Sequence, residues 1–370
     1  MESQVKRILI SLAWLSGAGF AQVPALKYVR IWYRMSKFTL SIALALAGSL
    51  LPAAENLRIY SIDVEGGQST LIVSPAGESM LIDTGWSRAN DRDADRIVAT
   101  AKAAGVKQID YLVITHYHVD HVGGVPALAA RIPIRNFIDH GDFKEDTPQI
   151  KNLYQAYVDT AAKGNRIQVK PGQKLPIKSL DVTVISAAGE VLKSALPGAG
   201  QPNASCSSAE PQPVDTTENV QSVGMLLQFG SFRFIDMGDL TWNKELELVC
   251  PNNKIGTVDL LMVSHHGWNL SSSPQFIAAL HPRVAIMNNG ARKGGTPSTW
   301  QIIHDNPGLL DFWQLHFSIE GGKEHNVADN LIANPDEKCE GKGIDVTASK
   351  DGSFTVVNSR NQFQKTYGKK

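Results

Sequence analysis

Cysteine is scarce in this chain: three residues in 370, at Cys206, Cys250 and Cys339. None belongs to a Cys-x-x-Cys pair, which excludes the usual cysteine zinc motifs. In an exported chain one disulfide can form and one thiol is left over. Cys206 with Cys250 is one such pairing, and the sequence leaves the connectivity open. Net charge is lacking as well, since 36 Lys and Arg balance 36 Asp and Glu. The balance hides an asymmetry. Residues 1–54 carry six basic residues against Glu2 alone, so the remainder holds 30 basic and 35 acidic residues, a net of −5. A folded part of that sign has no general attraction for polyanions, which disfavours nucleic acid as a partner. No repeat of 20–50 residues and no linker interrupts 57–357, so residues 55–370 read as one domain. Gly-x-Ser-x-Gly is absent, and neither Ser69 nor Ser264 has a local triad setting. What is present is globular: 43% hydrophobic and 19% charged residues, in a chain long enough to bury a core without disulfides.

The first 54 residues read as leader. An apolar run from Ile8 to Phe20 is followed by the basic, aromatic Lys27–Arg34 segment. Met35 then opens a basic start, an apolar stretch and the small residues Pro52-Ala-Ala54, the pattern of a secretory signal peptide. We expect Met35 to be the true start, with 1–34 an upstream over-extension and 35–54 a signal peptide. A membrane anchor is the rival, because residues 38–54 are at the short edge of spanning length. The signal reading implies a periplasmic or secreted protein with no membrane span after cleavage.

Three histidines and an aspartate fall within six positions: His116, His118, Asp120 and His121. An apolar run from Tyr111 to Ile114 precedes them and Gly123-Gly124 follows, so the cluster sits where a buried strand ends. Imidazole and carboxylate donors suit zinc and similar divalent ions. In an extended segment His116, His118 and Asp120 alternate to one side while His121 points elsewhere, which suits two adjacent ions better than one.

Other strand ends add to the cluster. Residues 57–64, 69–73 and 79–83 form a meander with Gly/Pro turns. Helical spacing marks 91–104 and 150–162, and a further helix starts at Val125 with Pro126 in its first turn. Strand 134–139 runs into His140, which either lines the site or lies on the surface. Residues 166–185 give two strands around Pro171-Gly172. Residues 189–215, rich in Gly, Pro, Ser and Ala, form an unusually long loop, read as disorder or as a substrate-facing flap. A hairpin over 219–236 ends in Gly238-Asp239, whose carboxylate can bridge two metals. Strand 258–264 ends in His265-His266, with further strands at 284–288, 312–316 and 354–357. Short helices are expected at 246–249, at 273–280 and after a cap at Ser298. Residues 365–370 read as a frayed basic tail. Trp300 and residues 313–316 either wall a cleft with Gly294–Pro297 or belong to the core.

His-x-His-x-Asp-His after a strand resembles the metallo-β-lactamase superfamily of metal-dependent hydrolases. The order of motifs, with Gly-Asp and then Ser-His-His-Gly, is similar to the metallo-β-lactamase-like domain of ComEC-type competence proteins. Asp63-Val-Glu-Gly-Gly-Gln68 and Asn219–Ser222 resemble that branch's opening and its Asn-x-x-Ser strand. The resemblance covers roughly residues 57–330. It implies an α/β (α+β type) fold, a four-layer αββα sandwich, with two divalent ions, zinc first and manganese or iron as alternatives. Carried over, His116, His118 and Asp239 hold one ion; Asp120, His121, Asp239 and His265 hold the other. Asp83, in Asp-x-Gly, supports the loop. Asp120 orients the water, and His266 faces substrate or donates a proton. Many members place another histidine before the bridging aspartate. Residues 142–238 contain none, and Asn219 stands near that place, so the first position is open, weakly filled or completed by water.

The expected function is hydrolysis by metal-activated water of a small-molecule or phosphoester substrate. Lactones, lactams and other esters or amides are alternatives on the same fold, as is a non-catalytic metal-binding or scaffold protein.

Overall fold

The computed structural model describes residues 56–88 and 90–369; the expected over-extension and signal peptide lie outside them. In chain order the first sheet receives β1 (Leu57–Ser61), β2 (Thr70–Val73), β3 (Ser79–Ile82), β4 (Ile109–Val113), β5 (Ile134–Asp139) and β6 (Asn165–Gln168). The second is built from β7 (Lys174–Leu175), β8 (Asp181–Ala187), β9 (Glu190–Val191), β10 (Gly224–Phe229), β11 (Phe232–Asp236), β12 (Leu260–Met262), β13 (Val284–Met287), β14 (Asp311–His316) and β15 (Ile332–Asn334). The chain then returns to the first sheet as β16 (Ile344–Ala348), β17 (Phe354–Asn358) and β18 (Gln364–Tyr367). The sheet orders are β18-β17-β16-β1-β2-β3-β4-β5-β6 and β15-β14-β13-β12-β11-β10-β8-β7, with β9 paired to β8.

Both sheets switch from antiparallel to parallel pairing. In the first the switch falls at β3–β4 and in the second at β11–β12. The parallel strands β12 and β13 are buried on both faces, as strands are when helices cover the outside. In β12, Leu260 and Met262 face the other sheet while Leu261 faces the helices; Val284 and Ile286 of β13 alternate with Ala285 and Met287 in the same way.

Among the described residues seven α-helices close the outer layers. Helices α1 (Arg92–Ala103), α2 (Val119–Val122), α3 (Val125–Ala129) and α4 (Pro148–Ala161) belong to the first sheet's side, and Ala94, Ile97, Leu128 and Tyr157 pack there against Leu112 and Phe137. On the second sheet's side lie α5 (Trp242–Val249), α6 (Pro274–Leu280) and α7 (Pro297–His304), whose Leu248, Phe276 and Ile303 meet Ile235 and Leu261. The result is the expected four-layer αββα sandwich. Among the described residues no helix is long and apolar enough to cross a membrane.

Several local expectations need correction. Residues 364–367 are not a frayed tail but the edge strand β18, because Tyr367 is buried, accepts a hydrogen bond from Trp313 Nε1 at 3.1 Å and stacks on Phe354. Strands β15 and β16, which carry no clear sequence signal, flank a stretch broken by Pro335, Gly341 and Gly343. Thr296, not Ser298, precedes α7 as its N-cap, and Pro297 takes the first turn. The 189–215 segment is tied down. Cys206 is disulfide-bonded to Cys250, leaving Cys339 free, and Asn203 Nδ2 donates to the Gln275 carbonyl at 3.0 Å. Trp313 is fully buried, and Trp300 is stacked on His304, so both tryptophans serve packing.

Candidate metal centre

The carboxyl ends of the parallel strands carry the polar groups, the position at which open α/β sheets place their ligands. Beyond β4 the chain does not stay extended. His118 is the last extended residue (φ −70°, ψ 150°), and α2 follows as a single turn. The expected alternation of His116, His118 and Asp120 on one side is therefore overturned. A helical turn swings Asp120 and His121 to one group, while His116 and His118 form another.

Asp83 fixes that turn. It follows β3 in a left-handed conformation (φ 58°) and is fully buried. Its Oδ1 accepts from Thr115 N at 2.8 Å and its Oδ2 from Thr115 Oγ1 at 2.7 Å. His121 Nδ1 lies 2.7 Å from the same Oδ2. A proton on Nδ1 leaves Nε2 as a lone pair facing inward, the orientation a metal ligand needs. Glu145 does the same for His118, its Oε2 lying 3.1 Å from His118 Nε2, which turns Nδ1 toward His116 Nε2 at 2.9 Å.

Asp239 joins the two groups. Its Oδ2 stands 3.8 Å from His116 Nε2, 3.3 Å from His121 Nε2 and 3.3 Å from His265 Nε2. Gly238, at φ 55°, brings this loop against Thr115, where a Cβ would lie 2.8 Å from the Thr115 Cβ. His266 Nε2 completes the second group, 3.1 Å from Asp120 Oδ2 and 3.6 Å from Asp239 Oδ1. Donor atoms of Asp120, His121, Asp239 and His266 all lie within 4.8 Å of one another, and all four residues are buried.

Both of the paired histidines reach the carboxylates. His266 gathers with Asp120 and His121. His265 reaches Asp239 from beside the half-exposed Trp268, whose ring centroid is 5.5 Å away. Both histidines are left-handed, at φ 55° and 56°. Such strain persists only where the surroundings enforce it. Here His265 N donates to Gly238 O at 3.0 Å, and His266 O accepts from Gly295 N at 2.9 Å.

Electrostatics fit a cation. Burial alone would raise the Asp239 carboxyl, but His121, His265 and His266 hold it well below the usual range. Burial opposes a charge on His121 too, yet Asp239, Asp120 and Asp83 push its imidazole well above its ordinary value. The protein alone therefore keeps two buried carboxylates ionised and compensates them with protons and with a cation. Asp239 Oδ1 has no hydrogen-bond partner. Two carboxylates, inward imidazole lone pairs and one unpartnered oxygen are the donors a divalent ion takes. These residues fit such an ion.

Three contributors were not legible in the sequence. Lys293, on the turn after β13, donates from Nζ to Asp120 Oδ2, with the ammonium 5.0 Å from the Trp86 ring centroid. Glu145 lies on an irregular loop. Gln68 Nε2 donates to Asp236 Oδ2 at 2.6 Å, Asn288 Nδ2 donates to Gln68 Oε1, and Gln68 N donates to the Asp120 carbonyl at 3.1 Å. A polar residue on a short turn carries no periodic signal, and only the Gln68 motif offered a hint. His140 pairs with Glu218, at 3.1 Å, and is not in the Asp120 group. Asn219 lies in a buried 3-10 turn rather than a strand, with its Oδ1 unpartnered. Asp63 Oδ1 lies 2.8 Å from His316 Nε2 and its Oδ2 accepts from Arg96 at 3.0 Å and Cys339 at 3.2 Å, tying β14 to the β1 edge.

The fold is that of metallo-beta-lactamase proteins, and residues 62–195 match the family model of the metallo-beta-lactamase superfamily. Among individual relatives, ComE operon protein 3 of Bacillus subtilis (strain 168) is 28% identical over 274 residues, covering 70% of this chain and 31% of that protein. A hydroxyacylglutathione hydrolase of Enterobacter sp. (strain 638) is 41% identical over 71 residues, covering 17% of this chain and 27% of the relative. This chain therefore spans less than a third of either relative's length. Of solved structures, the metallo-beta-lactamase fold protein YhfI from Bacillus subtilis aligns with a TM-score of 0.43 at 13% identity, over 70% of this chain and 96% of that one.

Proposed function

We propose that the protein is an exported metal-dependent hydrolase that cleaves a phosphoester-type substrate. The observation that carries the hydrolase reading is the buried convergence of Asp120, His121, Asp239 and His266 within 4.8 Å. In this reading His116, His118 and Asp239 would hold one divalent ion, zinc by donor type, and Asp120, His121, Asp239 and His266 the second. Bound ions supply a water of lowered pKa and polarise the substrate oxygen. The chain's own residues do the rest. Asp83 and Glu145 fix the tautomers of His121 and His118. Asp120, at the edge of the group, orients the attacking water. His265, on the Trp268 side, reaches Asp239 Oδ2 from Nε2 at 3.3 Å and helps to orient that carboxylate.

The phosphoester assignment follows from the resemblance of the motif order to ComEC-type competence proteins, with similarity to ComE operon protein 3 over 70% of this chain. The disulfide supports export, because such bonds persist in oxidising compartments. A second reading has its own support: the local similarity to hydroxyacylglutathione hydrolase favours a thioester or related ester. A non-catalytic metal-binding role is the third.

Metal-loaded protein should be assayed on bis-p-nitrophenyl phosphate, single-stranded DNA, a glutathione thioester and nitrocefin. The proposal expects phosphodiester cleavage that chelation abolishes and Asp239→Ala eliminates. Cleavage of the thioester alone would move the assignment to the second reading. No turnover on any substrate by protein carrying bound ions would leave the non-catalytic one.

A further inference from the structure

Lys293 reaches the carboxylate oxygen that a metal ion would need. Asp120 Oδ2 faces His121 Nε2 at 3.3 Å and His266 Nε2 at 3.1 Å, and the Lys293 ammonium donates to that same Oδ2. We propose that Lys293 is a built-in competitor for the divalent ion: it neutralises Asp120 in the metal-free protein and leaves Asp120 Oδ2 when an ion enters the Asp120–His121–Asp239–His266 group. The inference rests on the metal-centre reading above.

Charge sets the exchange. Asp120 is almost wholly buried, and a buried carboxylate without a cation is expensive. The ammonium removes that cost before any ion arrives. A divalent ion on the same oxygen would sit within a few ångströms of the ammonium, and like charges at such separation in a poorly solvated site repel strongly. The site holds one or the other on Oδ2, and ion binding must include the work of releasing Lys293.

The backbone cannot make room. Gly290 N donates to Lys293 O at 2.8 Å and closes the turn. A Cβ on Gly66 would lie 2.9 Å from the Lys293 Cβ, and one on Gly294 only 2.1 Å from His266 O. The turn is thereby pinned between the β1–β2 loop and His266 itself. Exchange falls to the side chain, which has somewhere to go. It is 24% exposed, and its ammonium already borders the Trp86 ring. Swinging off Asp120 takes it along that ring toward solvent, where cation–π attraction offsets part of the lost ion pair.

The test is a zinc titration against a chelating indicator, with ions per chain counted by native mass spectrometry. Lys293→Met keeps the stem and removes the charge, so it should bind zinc on the order of tenfold more tightly than wild type. Lys293→Arg keeps the charge and should bind as wild type does. Amine labelling of the unaltered protein gives an independent readout: Lys293 should react faster after zinc loading. Unchanged or weaker zinc binding by Lys293→Met would overturn the inference, as would labelling that zinc slows or leaves unchanged. If wild type binds zinc and the variant binds no better, this inference fails alone. If neither binds zinc, the metal-centre reading fails with it.

Discussion

Asp83 Oδ2 and His121 Nδ1 stand 2.7 Å apart with both side chains fully buried. The aspartate follows a strand and the histidine lies in a helical turn 38 positions later. Their contact makes the metal loop part of the sheet rather than an appendage. The same carboxylate also takes both donors of Thr115, so a single residue orients the start and the end of the loop.

Asp83→Ala should therefore act on folding and on metal binding together. It strands two Thr115 donors and the His121 proton in the interior, at a cost of about 3–5 kcal/mol. Loss of the orienting partner should weaken metal binding by about 10–100-fold. Urea unfolding of the metal-free protein and a zinc titration check both. A variant within about 1 kcal/mol of wild type would show that Asp83 does not hold the loop.

Stability should fall between mildly acidic and neutral pH in part through Glu245. Burial pushes its carboxyl up to about 7, despite hydrogen bonds from Ser273 and Ser272. A folded value above the unfolded 4.5 means that the folded state binds the proton more tightly between the two. That contribution is complete below pH 4.5 and is lost as pH rises to about 7. Glu245→Gln cannot titrate. From pH 5 to pH 8 the difference in melting temperature should shift in its favour, and a constant difference would refute the assignment.

The Cys206–Cys250 bond closes a loop of 44 positions. Its removal by Cys250→Ser or by a reductant should cost about 2–4 kcal/mol through the unfolded chain. Differential scanning calorimetry with and without reductant measures it. No change in melting temperature would mean that the segment is held by its hydrogen bonds alone.

Tyr367 ends the chain's last strand yet is only 3% exposed. Tyr367→Ala should open a cavity beside Trp313 and Phe354 and cost about 3 kcal/mol. Tyr367→Phe should cost about 1 kcal/mol, the value of the Trp313 hydrogen bond. Chemical denaturation separates the two. Equal, negligible losses would return residues 364–369 to the status of a tail.

Much of the site was readable before any fold was known. Donor-rich strand ends at 116–121, at Asp239 and at 265–266 announce themselves by composition, because imidazoles and carboxylates seldom cluster after apolar runs. Strand alternation and helical spacing likewise placed most of the elements. Both signals are local, since side-chain period is set by the backbone of the segment itself. By themselves they determined which residue types would meet at one edge of a sheet.

Only the tertiary structure decided which atoms face which. It folded Asp120 and His121 into a helical turn, set His266 beside Asp120 and His265 beside Asp239, and brought Lys293 onto Asp120 from 173 positions away. It also turned a basic tail into the edge strand β18. None of these outcomes has a period or a motif. Each depends on the close approach of segments distant in sequence, through left-handed backbone at His265 and His266 and through glycines at 66, 238 and 294 that leave no room for a side chain. The sequence determined the donors. Packing between the two sheets decided their geometry, because direction in a buried site is fixed by what the neighbouring layer allows.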